Sequence, residues 1–186
     1  ARVCMSWIVV TSSRSQSSSG CSALVARSRR TSYQSSADDT AAAVRHLGID
    51  DADFVGYSMG GAIALQVAIR HRALVRKLVV ASATFRSDGM PAEALAVFPS
   101  ITPELFAGTP IEAEYLRIAP RPGDFPTLVE KLTQLDTTDF AWPEEDIRAI
   151  AAPTLIVLGD SDGVRLEHAV EFFRLRGGGV MGDLAG

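Results

Sequence analysis

The sequence of 186 residues predicts an α/β architecture, a parallel sheet with helices on both faces and a helical insertion between two strands. Three observations carry that prediction. From Ala37 onward, short apolar runs suited to strands alternate with longer stretches of helical periodicity. Eight of the nine prolines fall between Pro91 and Pro143, in a stretch of different texture. Composition is near the globular average, with 47% hydrophobic and 22% charged residues, so one domain can bury a real core.

Taken in order, "ADDTAAAVRHLGI" predicts a helix, with Ala41, Val44 and Leu47 on one face and Gly48 at its stop. "ADFVGY" (52–57) is a short apolar strand, and "GGAIALQVAIRH" a mostly buried helix ending in basic residues. Buried strands follow at 77–85 and, entered through Pro153, at 153–160. "VRLEHAVEFFRL" is a helix with Leu166, Ala169, Val170 and Phe173 on its apolar face. Between the last two strands, about residues 86–150 form a helical cap whose Pro-broken amphipathic pieces are too long for a loop. Its Phe98, Phe106 and Trp142 are either pocket-lining or cap-core residues. "WPEEDIRAI" closes it, with Pro143 near a first helical turn.

Several function classes are excluded early. A net charge of -4 gives no electrostatic footprint for nucleic acid. No apolar run approaches the length that spans a membrane. Cys4 and Cys21 have no metal-ligand spacing, and so sparse a pair points to a reducing, cytoplasmic setting. Residues 1–37 hold no Asp or Glu, five Arg and twelve Ser, with low complexity peaking in "TSSRSQSSSG". That segment reads as a transit peptide, as a secretory signal or as displaced coding sequence.

The motif that carries chemistry is "GYSMG", a serine with glycines two places before and after it. It follows a strand and opens a helix, the setting that lifts a serine hydroxyl out of a tight turn as a nucleophile. Gly56 and Gly60 leave room for the turn, and the Met59 amide is placed to donate to an oxyanion. The plain alternative is a structural turn. Gly56, Gly60 and Gly61 do not make a dinucleotide fingerprint, and no Lys follows for a phosphate loop.

On "SYQSSADDTAAAVRHLGIDDADFVGYSMGGAIALQVAIRH" and "IRAIAAPTLIVLGDSDGVRLEHAVEFF", residues 33–186 resemble the α/β-hydrolase superfamily, specifically its small cap-bearing bacterial members. The resemblance implies an α/β-hydrolase fold with Ser58 as nucleophile and, from the pattern G-x-x-D at Gly159–Asp162, Asp162 as the triad acid. The plain alternative for Asp162 is a cap for a helix from residue 164. The resemblance further implies a serine hydrolase of a small ester, lactone, thioester or related carbonyl substrate, with no cofactor and no metal. Cofactor-free haloperoxidase-like and carbon–carbon hydrolase chemistry share these residues.

Two parts of the family pattern are not found. No catalytic histidine is identifiable: His46 and His71 lie near helix ends, and His168 comes too early in chain order and off the apolar face, as an exposed residue. The oxyanion loop has no counterpart in residues 1–32, which favours displaced coding over a transit peptide and leaves "WIVV" and "ALVA" as substitute strands. The expectation is a sheet incomplete at both ends, with self-association through its edges. The alternative function is a catalytically silent hydrolase-like fragment, binding a ligand or a protein.

Overall fold

The computed structural model describes residues 7–11 and 31–181. Readings that fall on residues 12–30, among them most of the Ser-rich run and "ALVA", lie outside the described residues, as do Cys4 and Cys21.

Four strands form one sheet in the order β1 (Trp7–Thr11), β2 (Ala52–Tyr57), β3 (Val75–Ala81) and β4 (Thr154–Val157). β2, β3 and β4 run parallel, and β1 pairs antiparallel to β2 from Trp7 opposite Tyr57 to Thr11 opposite Asp53. The "WIVV" run therefore covers the β2 edge from Phe54 to Tyr57, with Ile8 buried. The predicted parallel sheet is mixed at this edge.

α1 (Tyr33–His46) starts four residues earlier than its alanine pattern suggests. Ser32 caps it, accepting from the Ser35 amide while the Ser35 hydroxyl receives the Ser32 amide. Such reciprocal capping satisfies two donors that the first turn leaves open. Ala37, Ala41 and Val44 face the core, but Leu47 is 58% exposed because the helix has ended and Gly48 turns the chain at φ +72°. Arg70 and His71 both reach Asp38, which ties the end of α2 (Met59–Arg70) to α1.

α2 is the central helix. Every residue from Gly60 to Ala68 is buried, and the helix packs against β1, β2 and β3. Small residues allow this close approach, since a Cβ on Gly61 would stand 2.7 Å from that of Ala83. β3 ends at Ala81, short of the predicted 85, because Ser82 turns the chain at φ +51°.

Between β3 and β4 lie α3 (Ala92–Leu95), α4 (Pro110–Ile118), α5 (Phe125–Thr137) and α6 (Glu144–Arg148), with tight 3-10 turns separating the first three. Phe106, Phe125 and Val129 form a small apolar cluster of their own here, with Ile101, Ile111 and Tyr115 against it. Trp142 belongs to the main core, stacked near Phe140 and edge-on to Tyr33. Pro143 stands one position before α6, as its cap.

β4 is shorter than predicted and is not buried on both faces: Leu155 and Val157 are exposed. α7 (Leu166–Leu175) also differs from expectation. Its buried residues are His168, Ala169 and Phe172, while Leu166, Val170 and Phe173 are exposed. The helix carries apolar residues on two sides, and of the predicted face Ala169 alone is buried. Arg176 then locks the helix end, donating to the carbonyls of Ile147, Ile150 and Ala152.

Candidate active site

The carboxyl ends of the three parallel strands meet around one cavity of about 250 Å³. Ser58 follows β2, Ser82 follows β3, and Asp162 lies in the loop after β4. All three line the cavity, together with Met59.

Ser58 is held by backbone on both sides. Its amide donates to the Ala81 carbonyl at 2.9 Å, and its carbonyl accepts the Gly61 and Ala62 amides that begin α2. The resulting φ of 53° and ψ of -125° lie where a residue with a Cβ is strained, at a cost of order 1–3 kcal/mol. The turn closes only with glycine at position 56, where a Cβ would stand 2.3 Å from the Gly60 oxygen. Gly61 is the second position that cannot carry a side chain, a requirement the G-x-S-x-G pattern does not encode.

Asp162 does not cap α7. The helix begins at Leu166 with Arg165 before it, and that cap has no side-chain bond. Instead the carboxylate gathers its own loop, accepting the Gly159 amide on Oδ2 and the Val164 amide on Oδ1, each at 3.0 Å. The Ser82 hydroxyl donates to Oδ2 at 2.6 Å. Sequence reasoning passed over Ser82. Ser58 and Ser82 are the positive-φ residues other than glycine among the described residues, on adjacent strands and in the same cavity.

None of the three histidines lines this cavity. His46 sits in the last turn of α1, exposed, and His71 follows α2, its Nε2 2.8 Å from Asp38. His168 is buried, against the expectation that it is exposed. Its ring lies 4.4 Å from that of Phe85, and Gly89 packs so closely that a Cβ there would meet the imidazole at 2.7 Å. Its Nε2 accepts the Phe85 amide, which leaves the proton on Nδ1, where no partner stands among the described residues. Burial, reinforced by Arg86, lowers its pKa to about 4.

The far wall brings Tyr33 from α1 and Asp136 from α5 into the same cavity, with Phe98 and Phe140. The Tyr33 hydroxyl donates to Asp136 Oδ1 at 3.4 Å. Burial pushes the Asp136 carboxyl up to about 7, and burial with the neighbouring carboxylate raises the Tyr33 phenol. Among the described residues no group of three or more His, Cys, Asp or Glu is arranged to hold a metal. Among them, too, no helix is long and apolar enough to cross a membrane.

A mostly parallel sheet, a serine strained between strand and helix, and an acid after a later strand define a class of protein. Residues 11–143 match the family model described as the alpha/beta hydrolase fold, and the chain belongs to that family. It is 33% identical over 135 residues to a 2-hydroxymuconate semialdehyde hydrolase of Pseudomonas putida, covering 63% of this chain and 48% of that protein. The chain spans about half the length of the curated relatives it matches. Among solved structures it is similar to Est816, an N-acyl homoserine lactone degrading enzyme, with 29% identity and a TM-score of 0.57. That match covers 80% of this chain and 65% of the other. A meta-cleavage product hydrolase from Pseudomonas fluorescens IP01 shares the fold at 22% identity and a TM-score of 0.58, with 80% and 61% covered.

Proposed function

We propose that Ser58 is the nucleophile and Asp162 the acid of a serine-hydrolase site for a small ester, lactone, thioester or related carbonyl compound. One observation carries this reading: a strained serine at a strand-to-helix turn shares a cavity with an acid after a later parallel strand. Strain of this kind survives only where the surrounding structure enforces it, and such sites are often functional. In this reading the turn is a nucleophile elbow and the β3–β4 insertion a cap over the cavity.

The chemistry follows from the placement. The Ser58 Oγ adds to the substrate carbonyl carbon while a base takes the hydroxyl proton. The Met59 amide, at the start of α2, receives the oxyanion. Collapse expels the alcohol, thiol or enolate, which takes up a proton, and water then cleaves the acyl-serine. None of His46, His71 and His168 is assigned as the base. The relatives' printed substrates, a semialdehyde and an acyl lactone, are both small carbonyl compounds and support the class.

A second reading has its own observation. The Asp162 carboxylate, which would orient an imidazole, already accepts from the Ser82 hydroxyl and two amides. This favours a silent module that binds a carbonyl ligand without turning it over.

Turnover of p-nitrophenyl butyrate, a butyryl thioester and γ-butyrolactone by the wild type and Ser58→Ala tests the two. Hydrolysis that depends on Ser58 supports the nucleophile. Turnover unaffected by the substitution refutes it. Binding without turnover in both proteins selects the silent module.

A further inference from the structure

The cavity has two carboxyl groups on its wall, and they differ in what they have left to offer. Asp162 is engaged by three donors at 2.6–3.0 Å. Asp136 has one hydrogen bond among the described residues, from Tyr33 at the long distance of 3.4 Å. A carboxylate has about four acceptor positions, so Asp136 keeps unused acceptor capacity facing the cavity. Aromatic packing around Tyr33 fixes its side of the pair: its ring centroid lies 4.8 Å from that of Phe140 and 5.7 Å from that of Trp142.

A poorly satisfied acid in a partly desolvated cavity is costly unless something completes it. Small-molecule sites combine an apolar wall with a few polar groups that fix orientation. Here Phe98, Phe140, Met59 and Met90 provide the apolar surface. Among the described lining residues the charged side chains are Asp136 and Asp162, so the electrostatic preference is for a cation.

We propose that Asp136, steadied by Tyr33, is the recognition pole of the Ser58 cavity and takes the ammonium group of an amine-bearing carbonyl compound. This deepens the Ser58 reading and rests on it for where the reacting carbonyl lies. The pair spans α1 and α5, so the substrate's amine would lie where the helical insertion meets the main core. Substrates with a carboxylate at that end are disfavoured by the same wall. The raised carboxyl pKa agrees with the desolvation invoked here, and it sets the condition for the test, since the acid is ionised above about 7.

The experiment uses the full chain at about pH 8.5 and constant ionic strength, with n-butylammonium, 1-butanol and n-butyrate as probes titrated by ligand-observed NMR. Butylammonium is expected to bind about tenfold more tightly than 1-butanol, and butyrate more weakly than either. Asp136→Asn is expected to erase the ammonium preference while keeping 1-butanol binding. Tyr33→Phe, which retains the carboxylate but removes the bond that steadies it, is expected to weaken the preference without erasing it. Butylammonium binding no tighter than 1-butanol in the wild type would overturn the proposal, even if a variant does not fold. So would a preference that survives Asp136→Asn, and a preference unchanged in folded Tyr33→Phe would remove Tyr33 from the pole. The measurement needs no turnover, so its failure is separate from that of the Ser58 nucleophile.

Discussion

At the scale of single residues, the site rests on backbone strain at Ser58 that backbone hydrogen bonds on both sides hold. Replacing Ser58 with Gly removes the positive-φ penalty and is expected to stabilise the fold by about 1 kcal/mol while abolishing any Ser58 chemistry. Gly56→Ala works the other way. Its methyl would press on the Gly60 carbonyl, a backbone atom that cannot move aside, and a loss of about 3 kcal/mol is expected. Chemical denaturation of the two variants checks both signs. Ser58 was legible because two glycines at fixed spacing write the turn into the sequence. Ser82 was not, since a serine after a strand has no pattern around it. Its part shows only in a turn at φ +51° and in a bond to an acid 80 residues further along the chain.

At the scale of elements, the clearest consequence is a pair of opposing pH effects. His168 on α7 is neutral in the fold down to about 4, against an ordinary 6.5. Between those values the unfolded chain binds the proton first, so this group lowers stability as pH falls. Asp136 on α5 holds its proton up to about 7, against an ordinary 3.8. The unfolded chain releases that proton earlier as pH rises, so this group raises stability as pH falls through the same range. Thermal melts between about pH 7 and pH 4 separate the two. The melting point of Asp136→Asn should fall more steeply with acidification than that of the wild type. His168→Gln, whose amide oxygen can still accept from Phe85, should fall less. Identical slopes in all three proteins would contradict both assignments. The same helix shows where periodicity fails. α7 is apolar on two sides, and a histidine with one backbone bond took the inner one. β2 raised no such ambiguity, because Gly and Tyr at its end lead directly into the turn, and its bounds match those read from the sequence.

At the scale of the whole molecule, the sheet among the described residues is bounded by two edge strands, β1 and β4. The apolar start "WIVV" pairs along β2, as its reading as a substitute strand anticipates, and does so antiparallel. β4 lies at the other edge with Leu155 and Val157 exposed, and α7 adds exposed Val170 and Phe173. Such surfaces favour association between chains. Sedimentation velocity should find the wild type self-associated and Leu155→Lys shifted toward monomer; a wild-type monomer at high concentration would contradict this. The three parallel strands and the strand-to-helix turn were readable from sequence because both rest on local patterns. The cavity was not, because α1, α5 and three strand ends from distant parts of the chain build it. Three serines, Ser58, Ser82 and Ser161, share its wall, and Ser58 is the one proposed as the reacting group. Treatment with a fluorophosphonate, followed by mass-spectrometric mapping of the adduct, tests this most directly. A single adduct on Ser58, absent from Ser58→Ala, is the predicted result. An adduct on Ser82 or Ser161, or one retained by Ser58→Ala, would contradict the account.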